Sequence, residues 1–310
     1  MHYKTLATVL CLTLAMMAQG QNKQTFPFAQ RGDRTLYLDV YTPTAPRADS
    51  ACVISVFGGG FISGERDNEL QQSIARELTN RGFTVVSIDY RLGLLDSAKV
   101  AENGTLLKMT ALFQYCIDIA TEDCSESVAW VVAHADKLGI NPDRIVLTGS
   151  SAGAITVLET DYCRANNLPQ AAALPKGWRP VAVVPYSGAI LCRASKLHYA
   201  TPPAPTMFMH GTKDKIVAYK RFPKVFSPTL SGSARIFKEF KRKGYPAWII
   251  RFEGIGHEVA SFLPASADLF CGYVDQVLTS RNTTLDATMH DSKLVPTRWT
   301  KMNVFDLYKK

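Results

Sequence analysis

Gly149-Ser150-Ser151-Ala152-Gly153 separates two stretches of different character. Before it, Arg144-Ile145-Val146-Leu147-Thr148 is a short apolar run that predicts an interior parallel strand. After it, Ala154-Ile155-Thr156-Val157-Leu158-Glu159 predicts a helix. A sharp strand-to-helix turn across G-x-S-x-G holds its serine in a strained backbone and lifts the hydroxyl above the sheet. Small flanking residues let neighbouring backbone pass close by. The helix N-terminus then faces any negative charge that develops there. A plain Gly/Ser helix cap would carry the same five letters, so the rest of the chain must separate the two readings.

Outward from this turn, apolar runs alternate with helical spacing. Leu36 to Tyr41 alternates and predicts an edge strand, stopped by Thr42-Pro43 and Ala45-Pro46. Ala51 to Phe57 and Thr84 to Asp89 predict buried strands, with a helix over Glu65 to Asn80 between them and Gly82 just past its end. A helical region including Val128 to Lys137 follows. Its lead-in, Leu92 to Thr110, is less regular and reads as an insertion near the site. Val181 to Pro185, Thr206 to Met209 and Trp248 to Phe252 predict the remaining strands, and Phe262 to Leu278 a closing helix. The pattern predicts an α/β fold, a mostly parallel central sheet with helices on both faces. No repeat or linker divides the chain, so a single catalytic domain over 21–310 is expected.

The first twenty residues differ in kind. Lys4 precedes an almost wholly apolar Thr5 to Ala18, and Ala18-Gln19-Gly20 offers small residues at a cleavage spacing. Residues 1–20 therefore read as a signal peptide, with export to a periplasmic or secreted location and no stable membrane span after cleavage. Lys4 is the one charged residue removed with them, so a formal charge of +8 becomes +7. Spread over a large domain, that balance is no nucleic-acid footprint. The basic run Lys238 to Lys243 is interrupted by Glu239 and reads as a solvated helix face. Six cysteines remain after cleavage, an even count that permits disulfides in fifteen connectivities. Cys52, inside an apolar strand, reads as a small core residue. No C-x-x-C or paired-histidine spacing suggests a metal site. Asn103-Gly104-Thr105 and Asn282-Thr283-Thr284 are potential glycosylation sites.

Parallel sheets place reactive groups just past the carboxyl ends of their strands. Asp214 follows the strand ending at Met209, in His210-Gly211-Thr212-Lys213-Asp214. His257 follows the strand ending at Phe252, in Glu253-Gly254-Ile255-Gly256-His257. A serine hydroxyl needs a base to become a nucleophile, and a histidine needs an acid to fix its tautomer. Ser151, His257 and Asp214 fill those roles. His210 reads as a structural partner of the acid loop; Glu258 and Asp268 are rival acids. Phe57-Gly58-Gly59-Gly60-Phe61 ends a core strand and leaves backbone N–H groups uncovered, as an oxyanion hole requires.

These segments resemble the α/β-hydrolase carboxylesterases, in the group that includes the hormone-sensitive-lipase-like enzymes. Gly58-Gly59-Gly60-Phe61 resembles their oxyanion loop, Asp89-Tyr90-Arg91 the end of their next strand, and Asn141-Pro142-Asp143-Arg144-Ile145 through Gly153 their nucleophile block. The acid and base loops resemble theirs in the order Ser, Asp, His. The similarity runs from about Ala51 to Leu278. It implies Ser151 as nucleophile, Asp214 as acid, His257 as base, and Gly59, Gly60 and Ala152 as oxyanion donors. Asp89 and Arg91 would be structural. It also implies ester hydrolysis through an acyl-enzyme, with no cofactor and a small-molecule or carbohydrate-linked ester as substrate, acetyl or feruloyl groups among them. One departure stands out: the family's usual histidine before the glycines is Phe57 here, so the loop must be braced differently. Two other readings share this core. One is a prolyl-oligopeptidase-type peptidase, which usually has another glycine where Ala154 stands. The other is a non-catalytic binding module, which usually lacks a triad member.

Overall fold

The computed structural model describes residues 22–96, 106–192, 196–222, 229–280, 283–290 and 294–307. The expected leader, Asn103-Gly104-Thr105 and Asn282 lie outside them. Nine strands form the main sheet: β1 (Asn22–Arg31), β2 (Arg34–Thr42), β3 (Cys52–Val56), β4 (Thr84–Ile88), β5 (Ile145–Ser150), β6 (Ala182–Tyr186), β8 (Thr206–Gly211), β11 (Ala247–Phe252) and β12 (Leu285–Met289). Their order is β1-β2-β4-β3-β5-β6-β8-β11-β12. The β1/β2 and β2/β4 pairs are antiparallel; every pair from β4/β3 to β11/β12 is parallel. β7 (Ala189–Cys192), β9 (Arg221–Phe222) and β10 (Thr229–Gly232) form a small antiparallel sheet that the sequence pattern does not announce.

The central strands are apolar throughout because both faces are covered. Successive residues of β3, β4 and β5 go to opposite layers. Ile54, Val86 and Leu147 join one core cluster; Val53, Val85 and Val146 join the other. Helix α1 (Glu69–Thr79) packs Ile74 and Leu78 into the second cluster. α2 (Leu106–Ala133), α3 (Ala152–Ala165) and α4 (Ser233–Lys243) pack into the first, and α5 (Ala267–Leu278) into the second. Helices therefore lie on both faces, as the alternating pattern predicts.

Four expectations need correction. β2 is not an edge strand, because β1 lies outside it. β1 carries Pro27 beside a register shift, and an edge tolerates a residue with no N–H to donate. The strand at Trp248–Phe252 is not the last. β12 pairs with it in parallel, tied also by the Arg251–Asp286 ion pair, and is largely exposed, so it has no apolar signature. The closing helix begins at Ala267; His257–Ser261 and Pro264–Ser266 are separate 3₁₀ turns. Last, the long helix stops at Ala133, and the single turn after it ends on Gly139 in the left-handed region (φ 64°). The six cysteines are thiols rather than bridges. Burial pushes the Cys52 thiol up to about 12, consistent with a core residue. Among the described residues no helix is long and apolar enough to cross a membrane.

Candidate active site

Every functional loop leaves the same end of the parallel sheet. β5 ends at Ser150, and Ser151 turns the chain into α3 with φ 53° and ψ −115°. A non-glycine residue held there stores about 1–3 kcal/mol of backbone strain. The turn is possible because its glycines have no side chains. A Cβ on Gly149 would lie 2.4 Å from Gly153 O, and one on Gly153 would lie 2.1 Å from Val56 O. Ser151 N–H donates to Tyr186 O at 2.9 Å, which ties the turn to β6. Ser150 Oγ donates to Ala260 O at 2.6 Å and ties it to the His257 loop.

β8 and β11 deliver the other two groups. His257 Nε2 lies 2.8 Å from Ser151 Oγ, and His257 Nδ1 lies 2.8 Å from Asp214 Oδ2. An ionised carboxylate accepts only, so Nδ1 carries the hydrogen and Nε2 is left to accept from the serine. Asp214 Oδ1 accepts from the N–H groups of Ile216 and Val217 at 2.9 and 3.0 Å. Burial alone would raise the Asp214 carboxyl. Electrostatic attraction to the His257 ring and hydrogen bonds from His210 and His257 outweigh it and hold Asp214 well below the usual carboxylate range. His210 is fully buried, and its Nε2 donates to Val217 O at 2.9 Å while lying 3.4 Å from Asp214 Oδ2. Its Nδ1 then accepts from Ser233 Oγ at 2.7 Å. The ring braces the acid loop, as its position at the strand end suggests. The rival acids are elsewhere engaged. Asp268 is exposed and pairs with Arg81 at 2.7 Å, and Glu258 binds the C-terminal segment.

The glycine loop after β3 faces the same serine. Gly58, Gly59, Gly60, Ser151 and His257 line one cleft of about 340 Å³. Gly59 sits at φ 129°, and a Cβ there would lie 1.8 Å from Ser63 O, so the loop shape demands glycine. Ile62 and Ser63 both donate backbone N–H to Gly59 O and close the turn. Among the described residues no acceptor is bonded to the Gly59 N–H. Ala152 N–H opens α3 and is one of the first-turn donors that no helix carbonyl takes.

The family model that matches this chain is the carboxylesterase family, over residues 7–160. The chain has the α/β-hydrolase fold and is similar to carboxylesterases. The matching model is that of the broad family. Esterase E4 of Myzus persicae is 32% identical over 39% of this chain and 21% of its own length. The arylesterase of Saccharolobus solfataricus is 30% identical over 46% of this chain and 40% of its own. The carboxylesterase patB of Penicillium expansum is 27% identical over 84% of this chain and 50% of its own. The chain thus spans half or less of the length of each of these relatives. The solved esterase 2 of Thermogutta terrifontis superposes with a TM-score of 0.58 at 19% identity, covering 83% of this chain and 92% of that one.

The glycine loop after β3 has a brace of its own. Phe57 is buried and stacks on Tyr90, ring centroids 4.4 Å apart. Tyr90 Oη donates to Phe57 O at 3.1 Å, fixing the carbonyl that immediately precedes the glycines. Phe61 closes the loop's other end by an edge contact to Tyr90 and accepts a hydrogen bond from Leu94 N–H. Asp89 pairs with Arg66 at 2.9 Å and Arg91 with Asp123 at 2.9 Å, so both are structural ties. The sequence offered Phe57 as an anomaly and Tyr90 as part of a strand end; the two follow the paired ends of β3 and β4, which is what lets them stack.

Proposed function

We propose that this chain is a serine carboxylesterase in which Ser151 is the nucleophile, His257 the base and Asp214 the acid. The observation that carries the reading is the unbroken relay from Asp214 Oδ2 through the His257 ring to Ser151 Oγ, 2.8 Å at each step. Ser151 Oγ attacks the ester carbonyl carbon while His257 Nε2 takes its proton. Asp214 keeps the imidazole in the tautomer that can accept, and stabilises the imidazolium that forms. The carbonyl oxygen becomes an anion facing the N–H groups of Gly59, Gly60 and Ala152. Collapse expels the alcohol, which receives the proton from His257. Water activated by the same ring then releases the acid and restores Ser151.

The substrates in this reading are modest carboxylic esters. A cleft of about 340 Å³ suits a small acyl group. The Thermogutta esterase was solved bound to propionate and to butyrate, which favours short acyl chains by analogy of fold. The reading extends to export through residues 1–20, which would bring the enzyme to acetyl or feruloyl esters on carbohydrate. An ester panel on the purified mature chain tests it, running from acetyl to long acyl and including feruloyl sugars. The expected result is turnover of short esters, lost in Ser151→Ala, with no cleavage of a prolyl-nitroanilide. Prolyl-nitroanilide cleavage, or ester turnover that survives in Ser151→Ala, would overturn it. Sequencing the N-terminus of the exported protein tests the leader, which should be absent.

A further inference from the structure

The described parts of the polar tail after Ser280 pack back onto the molecule. Its last described stretch, 294–307, lies across both loops that carry Asp214 and His257. Glu258, next in sequence to His257, takes most of the contacts. Its Oε1 accepts from Thr297 N–H and Oγ1, both at 2.7 Å, and from Thr300 N–H at 3.0 Å. Thr300 Oγ1 also lies 2.9 Å from each carboxylate oxygen while accepting from Gly256 N–H at 2.8 Å. A Cβ on Gly256 would lie 2.4 Å from Thr300 Cα, so this approach depends on glycine at 256. On the acid side, Asn303 forms a parallel bridge with Lys215, the residue after Asp214. Trp299, Met302 and Leu307 pack against the main core. Trp299 and Leu307 also line the cleft that contains Ser151.

We infer that residues 294–307 form the specificity wall of the cleft. In this wall Trp299 and Leu307 sense the bulk of the ester's apolar group, and Glu258 is the positioning residue that holds the wall on the catalytic loops. An indole offers a large, stiff apolar face at low entropic cost. The same cleft is lined by Ile62 and Leu70 among small polar groups, so a ring or short alkyl group finds apolar side chains there besides the indole. The carboxylate of Glu258 suits its task because charged acceptors make the stronger hydrogen bonds. Hydrogen bonds from Thr297 and Thr300 overcome its partial burial and hold Glu258 below its ordinary value, so it stays an acceptor at neutral pH. The inference borrows its substrate from the esterase reading but not its geometry.

Two ester series on the full chain test it, one growing in acyl length and one in alcohol bulk. Trp299→Ala and Leu307→Ala should raise KM progressively with size in at least one series, reaching roughly tenfold at the bulky end. A KM change equal at every size in both series, or a uniform loss in kcat, would overturn the wall. Hydrogen exchange supplies a readout that needs no turnover. Amides of 294–307 should be protected in wild type and lose protection in Glu258→Ala. A wild-type segment that exchanges like an unstructured peptide would overturn the inference whatever the enzyme hydrolyses. Failure to hydrolyse any ester would instead count against the esterase reading, with the exchange result still deciding the wall.

Discussion

Asp214 and Glu258 are both loop carboxylates bonded to the His257 loop, yet they hold different things. Asp214 is buried and bonds the imidazole ring itself; Glu258 bonds the backbone and hydroxyls of the C-terminal segment. Both carboxyls sit below their ordinary range, and for both burial pushes the other way. A lowered pKa therefore does not separate an acid of the relay from an anchor. What separates them is the strand each follows. Asp214 leaves β8, beside β11 in the sheet, and so reaches the ring presented after β11. Glu258 follows His257 in the same 3₁₀ turn and accepts from the segment 297–300 instead.

The largest effect expected along this line is that of Asp214→Asn. Loss of the accepting carboxylate should drop kcat on the order of 10⁴-fold through the wrong imidazole tautomer, with little change in KM. Glu258→Gln should cost far less, with its effect in KM. If steady-state kinetics showed the two variants equally damaged, the rival-acid reading of Glu258 would return. His210→Phe should loosen the acid loop by removing bonds to Val217 O and Ser233 Oγ. The loss should be about 1–3 kcal/mol in denaturant unfolding, with kcat falling less than in Asp214→Asn. A change in kcat as large as that of Asp214→Asn would make His210 more than a brace.

The same comparison has a pH signature. A carboxyl depressed in the folded state contributes stability above its unfolded value, near about 3.9 for an aspartate. That contribution is lost as pH falls through the folded value. Asp214 should therefore favour the folded state throughout the neutral range, and the stability gap between wild type and Asp214→Asn should narrow as pH falls below about 4. Urea unfolding at stepped pH checks this; a gap that widens toward acid would contradict the assignment of its shift. The smallest effect concerns the oxyanion loop. Tyr90→Phe keeps the stack on Phe57 but loses the bond to Phe57 O, and should cost about 1 kcal/mol of stability. A negligible change in both stability and kcat would mean that the stack alone braces the loop.

The relay residues were legible because parallel strands leave a strong apolar signature and their ends mark where reactive loops begin. Ser151, Asp214 and His257 each follow such a run, and the structure brings all three together. The outer strands were not legible for the opposite reason. β12 shows mostly exposed residues, and Asn22–Arg31 mixes polar residues with Pro27. Nor could the role of the tail be read, since a single turn at Arg298–Lys301 carries no periodicity. Its anchor, Glu258, was visible only as an acid near the base.

The central claim is that His257, held by Asp214, makes Ser151 a nucleophile. Fluorophosphonate labelling followed by peptide mass analysis tests it most directly. One adduct on the Ser151 peptide is predicted in wild type, much slower in Asp214→Asn and absent in Ser151→Ala. An adduct on another residue, or equal labelling of wild type and Asp214→Asn, would contradict it.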